Sequence, residues 1–298
     1  MLFFFLNVYS LSSSDLAYFL GGIFGHVAQK MYFCNHNPHH RLGKHSEQNT
    51  TNIMKHTLLA LAAAALLCTA CCKNNTPAEP DDTRHFVNLT DAVPDAILEI
   101  RYHGTYNFVG TRIDGYQQPT ALLTRQAADS LRAVSDDVVA QGYRLKIYDA
   151  YRPQRAVDHF VRWAADIDDT LMKRYFYPNV DKSRLFELEY IMEKSGHTRG
   201  STVDLTLFDM RTEKEVDMGG TFDWFGSESH PGCGGNPATG TYRPNDTLTA
   251  AQFANRMILR EAMLRHGFKA LDSEWWHFTL SNEPFPDTYF DIPVRQLE

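Results

Sequence analysis

The chain has 298 residues, of which 43% are hydrophobic and 22% are charged, and its formal net charge is −7. This is the balance of a globular protein with a core of good size. Lysine and arginine are scattered rather than clustered, so the sequence offers no basic surface for nucleic acid and favours a small molecule or a peptide as the partner.

A targeting signal begins inside the chain, at Met54, rather than at residue 1. A short basic start at Met54-Lys55-His56 is followed by an apolar run over residues 57–67 and by small residues around Cys71 and Cys72. This order resembles a bacterial lipoprotein signal over residues 54–71. The apolar run is well short of the roughly 20 residues that span a bilayer. We therefore expect an exported lipoprotein that is anchored to a membrane through Cys71 or Cys72 and faces the periplasm.

Residues on either side of this signal are predicted to lie outside the folded domain. Residues 1–53 read as the product of an upstream start codon. They contain a histidine-rich patch that imitates a metal site but has no periodic pattern to hold it, namely His36, His39, His40 and His45. Residues 72–83 are polar and contain two prolines, which is typical of a tether. The folded domain is expected over residues 84–298.

The cysteines indicate a domain without a disulfide framework. Cys233 is the one cysteine within residues 84–298, since the others fall in the upstream segment, in the signal or at the lipid site. His230 and Cys233 have ligand-like spacing, which leaves a second metal site open. The surrounding prolines and glycines favour a plain loop.

The first half of the domain predicts a helix, a strand and a second helix. Thr124 can cap a helix that Gly142 ends and whose apolar face is Ala127, Ala128, Leu131, Val134, Val138 and Val139. A strand is expected from Tyr143 to Tyr151. Pro153 then suits a helix start, and a second apolar face follows at Ala156, Val157, Phe160, Trp163 and Ala164. Arg152 is therefore placed at a junction between a strand and a helix.

The second half predicts two further strands around a helix. Residues 202–208 alternate as a strand that carries Asp204. Thr249 and Gln252 resemble a capping box that opens a helix through Phe253, Met257, Ile258 and Leu264, and Gly267 ends this helix. Residues 274–280 are expected to form a strand beside that of Asp204. Because there is no regular βαβ alternation, the fold class is α+β, with a largely antiparallel central sheet flanked by helices.

Two short segments carry the residues that suggest chemistry. His197 and Asp204 lie in the first, and Glu274 and His277 lie in the second. Two imidazoles and one carboxylate match the three protein ligands of a catalytic zinc site, and Glu274 is close enough in sequence to His277 to move protons there. Each of these residues also has a plain structural alternative, either a core histidine or a buried, hydrogen-bonded carboxylate.

Three ordered motifs resemble one known family. They are Tyr148-Asp149-Ala150-Tyr151-Arg152-Pro153, the segment from Ser195 to Leu207, and Glu274-Trp275-Trp276-His277. Together they resemble the VanX-type D-alanyl-D-alanine dipeptidases, a group of zinc peptidases whose wider fold also includes D,D-carboxypeptidases and the Hedgehog signalling domain. The likeness covers the chain from about residue 84 onward. Gly196 stands where members of the family often carry serine.

The resemblance implies a role for each candidate residue of the reaction centre. His197, Asp204 and His277 would hold one zinc ion per chain, which activates water and polarises the scissile carbonyl. Cobalt or nickel could occupy the same ligands. Glu274 would act as general base and then as general acid, and Arg152 would stabilise the oxyanion. An ion pair without catalytic function is the alternative for Arg152.

The resemblance also implies how a short substrate would be recognised. Asp223, in the segment Met218-Gly219-Gly220-Thr221-Phe222-Asp223, would meet the substrate ammonium, while Ser195 and Tyr190 would meet the carboxylate. Three functions remain open. They are a D-Ala-D-Ala dipeptidase of cell-wall metabolism, a carboxypeptidase acting on peptidoglycan stem peptides, and a non-catalytic zinc-binding lipoprotein.

Overall fold

The computed structural model describes residues 82–244 and 247–298. Three predicted parts of the chain lie outside these ranges. They are the histidine-rich upstream segment, the signal over residues 54–71 with Cys71, and residues 72–81 of the tether with Cys72. Asp82 and Thr83 belong to a 3-10 helix, Asp82–His85. Within the described ranges, no helix is both long and apolar enough to cross a membrane.

The described chain contains five α-helices and ten short strands, with several 3-10 turns between them. The helices are α1 (Leu89–Ala92), α2 (Arg125–Ala140), α3 (Gln154–Ala165), α4 (Lys173–Phe176) and α5 (Ala250–Arg265). The strands are β1 (Phe86–Asn88), β2 (Ile97–Leu98), β3 (Leu122–Thr124), β4 (Tyr143–Asp149), β5 (Thr202–Asp209), β6 (Lys214–Glu215), β7 (Gly235–Asn236), β8 (Thr241–Tyr242), β9 (Phe268–Ala270) and β10 (His277–Leu280).

The central sheet has six strands in the order β2, β4, β5, β10, β9, with β6 paired to β5 as well. Its pairs are antiparallel except for β2 with β4. Two small antiparallel ladders, β1 with β3 and β7 with β8, lie outside it. The predicted α+β class with a largely antiparallel central sheet is therefore confirmed.

Helix α2 packs on β4, α5 packs on β9, and the two helices contact each other. Five of the six predicted apolar positions of α2 are fully buried, whereas Val139 is only partly buried. All five predicted positions of α3 are buried. Each large aliphatic or aromatic side chain removed from water in this way contributes about 1.5–3 kcal/mol, and together they fix the helices against the sheet.

The predicted helix ends are confirmed for α5 and corrected in part for α2. Thr249 and Gln252 form a complete capping box. Gly142 and Gly267 have φ of 91° and 88°, a left-handed backbone conformation that glycine adopts most easily. Thr124 occupies the N-cap position of α2, but its side chain makes no capping bond. Its hydroxyl bonds instead to the Ser201 hydroxyl at 2.7 Å, which ties the helix start to the strand that follows the His197 turn.

The strands differ from their predicted form in three places. Strand β4 ends at Asp149, two residues early, because the Tyr151 amide turns to the Leu122 carbonyl. Strand β5 has no solvated face, since residues 202–207 are all buried. Glu274 does not belong to a strand. The Trp275 amide donates to the Ser229 carbonyl outside the sheet, and the chain turns before β10 begins at His277.

Candidate active site

Three potential metal ligands converge at the centre of the sheet. Asp204 lies in β5, His277 is the first residue of β10, and the two residues are direct cross-strand partners. His197 comes from the 3-10 turn Gly196–Arg199, just before β5. One ligand atom from each residue lies within 4.8 Å of the others. Residues paired across neighbouring strands point to the same face, so the sheet register itself brings two of the three ligands together.

The donor set fits a cation. His197 Nε2 lies 3.2 Å from His277 Nδ1 and 3.1 Å from Asp204 Oδ2, and His277 Nδ1 lies 3.1 Å from Asp204 Oδ1. The His197 Nδ1–H donates to the Ala150 carbonyl at 2.7 Å, which leaves the Nε2 lone pair facing the other two groups. This main-chain bond is the second contact that metal-binding histidines ordinarily make.

The electrostatics of the cluster also favour positive charge at its centre. Burial would raise the pKa of Asp204, but the two histidines hold it well below its usual range. Burial would lower the pKa of His277, but the hydrogen bonds that its ring donates to the Asp204 and Glu274 carboxylates, together with their negative charges, raise this pKa to about 9. In the metal-free protein a proton on His277 therefore occupies the place that a metal ion would take.

Arg152 lies against this cluster and is held by a buried carboxylate. Its Nε donates to Asp149 Oδ2 at 2.9 Å, and Nη2 lies 3.6 Å from Asp204 Oδ2. The guanidinium also lies over the rings of Tyr102 and Phe160, 5.0 and 5.3 Å from their centres. The side chain is only 12% exposed. The predicted junction position is confirmed, because Arg152 lies between the end of β4 and the start of α3.

Glu274 reaches the cluster through a turn. Its Oε2 lies 3.3 Å from His277 Nδ1, and its side chain is 37% exposed. In an extended strand, residues three apart would point to opposite faces and lie roughly 10 Å apart. The turn therefore permits this contact, which the predicted strand would have prevented. The carboxylate meets both a candidate ligand and solvent.

Asp223 is a buried carboxylate in a strained backbone conformation. It has φ of 60°, is 8% exposed, and accepts hydrogen bonds from the Tyr102 hydroxyl at 3.2 and 3.0 Å. Burial, followed by the negative charge of Asp204, raises its pKa well above the usual range, while Arg152 opposes the shift. A cationic group placed beside Asp223 would stabilise its ionised form and so lower its pKa.

The other two predicted recognition residues have mainly local contacts. The Ser195 hydroxyl accepts from the His197 amide at 3.2 Å and so caps the turn that carries this ligand. The Tyr190 ring stacks on Phe225 with centres 4.7 Å apart and is half-buried. Among the described residues, Tyr190 makes no hydrogen bond or ring contact with the three converging residues.

Comparison with known proteins decides the family. The model of the D-ala-D-ala dipeptidase family, Peptidase M15, matches residues 82–295. The chain belongs to this family. It is 36% identical to a D-alanyl-D-alanine dipeptidase of Enterococcus faecium over 70% of this chain and 98% of the relative. A relative of the same name from Enterococcus faecalis is 37% identical over 70% of this chain and 98% of the relative. Another from Streptomyces coelicolor is 37% identical over 68% of this chain and 96% of the relative.

Membership in the D-ala-D-ala dipeptidase family makes this protein a hydrolase of the metallopeptidase class. The matched region begins where the described structure begins, and it accounts for almost the whole length of these relatives. The site described above therefore lies within the region that matches the family.

Two polar contributors to this dipeptidase-family site were not predicted from the sequence. Asp149 is 1% exposed, holds Arg152, accepts from the Tyr116 hydroxyl at 2.6 Å, and lies 3.6 Å from His197 Nδ1. It ends β4 opposite Asp204, and its position at a strand end, three residues before Arg152, was a usable signal. Tyr102 has no comparable signal, because its partner Asp223 is 121 residues away in sequence.

His230 and Cys233 form part of a turn rather than a second cluster. The Cys233 amide donates to the His230 carbonyl at 2.9 Å, and Cys233 is a free, partly buried thiol. Over residues 82–244 and 247–298, the one group of three or more potential metal ligands is His197, Asp204 and His277. The loop interpretation of this segment agrees with its backbone.

Proposed function

We propose that this protein hydrolyses D-alanyl-D-alanine to two molecules of D-alanine, as the names of its relatives describe for them. The observation that carries the proposal is the convergence of His197, Asp204 and His277, with Glu274 and Arg152 against them. A binding module has no need of a general base and a buried cation beside a metal site.

We assign the metal site to zinc. His197 Nε2, His277 Nδ1 and the Asp204 carboxylate would hold the ion, and the Ala150 carbonyl would keep His197 in the tautomer that can bind. Zinc in such a site supplies Lewis-acid chemistry, since it makes water a nucleophile near neutral pH and polarises a carbonyl. The ligand types also accept cobalt or nickel.

Glu274 is assigned the proton transfers. Its carboxylate would accept the proton that the attacking water loses and then deliver it to the nitrogen of the departing amino acid. The position of Glu274 suits this exchange, because its side chain is partly exposed to solvent while its Oε2 lies 3.3 Å from His277 Nδ1. The peptide C–N bond breaks, a C–O bond forms, and the carboxylate ends in its starting state.

We assign to Arg152 the stabilisation of the negative charge that develops on the scissile carbonyl oxygen. Its guanidinium is fixed by Asp149 on one side and by the rings of Tyr102 and Phe160 on the other. A preorganised cation costs no reorganisation when the charge appears, and this is where such groups contribute most.

Substrate recognition is assigned to Asp223 at the amino terminus and to Ser195 and Tyr190 at the carboxylate. An ammonium beside Asp223 would be desolvated and paired with a carboxylate that Tyr102 already orients. An acylated or longer peptide would leave Asp223 buried without its cation, which is costly. Ser195 would reach the carboxylate from its place two residues before His197.

Export and lipid anchoring remain part of this proposal. Lipid on Cys71 or Cys72 would place the enzyme at a membrane surface on the periplasmic side, where it could act in cell-wall peptide metabolism. Radiolabelled palmitate should then enter the full chain and should be absent when both cysteines are replaced by serine. Equal labelling of the doubly substituted chain would overturn the anchor.

The decisive experiment measures free D-alanine released from D-Ala-D-Ala and from N-acetyl-D-Ala-D-Ala. Zinc-loaded protein is compared with Glu274→Ala. We expect cleavage of the free dipeptide alone, lost in the variant while its zinc content stays the same. Cleavage of the acetylated substrate would move the assignment to a carboxypeptidase. No cleavage of either substrate would leave a zinc-binding lipoprotein.

A further inference from the structure

Arg256, on helix α5, is a buried cation that donates hydrogen bonds to three main-chain carbonyls. The residue is 2% exposed. Its Nε donates to the Met218 carbonyl at 2.7 Å, Nη2 to the Glu228 carbonyl at 2.8 Å, and Nη1 to the His230 carbonyl at 3.2 Å. Burial lowers its pKa to about 10, so it stays charged near neutral pH.

The carbonyls that Arg256 binds belong to the two loops that border the candidate site. Met218 begins the segment that reaches Asp223. The second loop, around residues 228–230, accepts the Trp275 amide at the Ser229 carbonyl, immediately beside Glu274. The guanidinium also lies 5.5 Å from the Trp275 ring centre. One side chain thus connects the predicted ammonium contact with the segment of the predicted base.

Helix α5 makes further contacts with the start of the same segment. A Cβ on Gly220 would lie 3.4 Å from Arg256 Nη2. On the same helix, Gln252 donates to the Asp217 carboxylate at 3.0 Å, and Asn255, directly before Arg256, donates to the Asp217 carbonyl at 2.9 Å. A buried charge that only fills space is unfavourable. The planar guanidinium of arginine, with its five N–H donors, can instead hydrogen-bond several carbonyls at once and hold them in place.

We propose that Arg256 is a positioning residue that sets the selectivity of the enzyme for a free amino terminus. It does so by fixing the segment 218–223, and hence Asp223, relative to Glu274. The inference rests on the proposed function, because it assumes that Asp223 meets the substrate ammonium. The guanidinium donates to main-chain carbonyls of the two loops, so its effect is exerted through the position of Asp223.

The first test compares Arg256→Lys and Arg256→Met with Arg265→Met, a matched control on the same helix whose side chain is 55% exposed and pairs with Asp137. For both Arg256 variants we expect KM for D-Ala-D-Ala to rise about tenfold with kcat changed less than about threefold, since loosened binding acts on KM. Selectivity for the free over the N-acetylated dipeptide should fall by a similar factor. Zinc content should stay the same, and the control should match the parent protein.

A purely structural role would give a different pattern. If kcat, zinc content and the folded fraction fall together while selectivity is unchanged, the proposal is overturned. Unchanged KM and selectivity in Arg256→Lys would overturn it as well. Should Arg256→Met fail to fold, Arg256→Lys still decides, because it keeps the buried charge and removes the fixed fork.

A double-mutant cycle separates this inference from the proposed function. If Arg256 acts through Asp223, then Arg256→Lys should have no further effect on selectivity in an Asp223→Asn background. Additive effects would overturn the inference. If Asp223→Asn alone leaves selectivity intact, the ammonium assignment is wrong. If it removes selectivity while Arg256→Lys does not, only the role of Arg256 is wrong.

Discussion

The proposed reaction half of the site and the proposed recognition half are built from different kinds of structure. Asp204 and His277 are cross-strand partners, and Asp149 lies opposite Asp204 on the other side of β5. Asp223, by contrast, lies in a loop with φ of 60°, and Tyr190 lies in a turn region after α4. Main-chain pairing within the sheet positions Asp204, His277 and Asp149, whereas contacts with single buried side chains position Asp223 and Tyr190.

The two halves should respond differently to side-chain substitution. A residue on a paired strand is held by main-chain bonds on both sides, so a side-chain substitution removes a function without displacing its neighbours. A loop residue depends on a few anchors, here the Tyr102 hydroxyl and the Arg256 guanidinium. We therefore expect substitutions in the reaction half to act on metal binding and kcat, and substitutions in the recognition half to act on KM and selectivity.

The largest effect is expected from Asp204→Asn. A neutral amide would weaken the metal site, and hydrolysis should fall by about a thousandfold or more, since the metal supplies several kcal/mol of transition-state stabilisation. Metal analysis and D-alanine release check this. Asp209→Asn is the matched control, since Asp209 lies at the other end of β5 and its side chain accepts from the Arg211 and Thr212 amides. Full activity with a normal metal content in Asp204→Asn would remove Asp204 from the ligand set.

The next effect concerns pH and metal affinity. Burial opposes protonation of His277, but Asp204 and Glu274 raise its pKa to about 9 in the metal-free protein. Because metal must displace this proton, apparent zinc affinity should rise by up to about tenfold per pH unit from pH 7 and level off above about pH 9. Competition with a coloured chelator measures it. An affinity independent of pH over this range would show that His277 is not a ligand.

Asp149→Asn should lower kcat by about a hundredfold, because a misplaced catalytic group costs roughly this much. The amide cannot hold the Arg152 guanidinium as the carboxylate does at 2.9 Å. KM should change little. Asp291→Asn, which loosens the exposed pair with Arg155, is the control. A rise in KM with kcat preserved would place Arg152 in recognition and would erase the contrast between the two halves.

The smallest effect is expected from Tyr102→Phe. Loss of the hydroxyl that binds Asp223 should raise KM for D-Ala-D-Ala by about tenfold, in line with the 1.5–3 kcal/mol of a hydrogen bond to a charged group. Steady-state kinetics with zinc-loaded protein measure it. Tyr151→Phe loses a buried hydroxyl bonded to Ile292 instead and controls for stability. Equal KM values in the two variants would mean that Asp223 needs no orientation by Tyr102.

Much of the site could be predicted because its chemistry is local in sequence. Residues 202–208 were predicted as the strand that carries Asp204, and Asp204 lies in β5, with His197 in the turn just before it. The apolar period of α3 predicted the helix after Arg152. Glu274 was assigned correctly to the neighbourhood of His277 but wrongly to a strand, since the Trp275 amide finds its partner on a distant loop, which no local pattern reveals.

The sequence by itself determined the fold class, the ends of α5 and the residue types of the candidate metal ligands, because periodicity, capping residues and coordination chemistry act over a few neighbouring residues. The tertiary structure alone decided that Asp149 holds Arg152 and that Tyr102 orients Asp223. It also decided that Arg256 joins two loops to a helix. These contacts unite residues that come together only when the core has packed, and a buried polar group takes whichever partner the packing leaves within hydrogen-bonding distance.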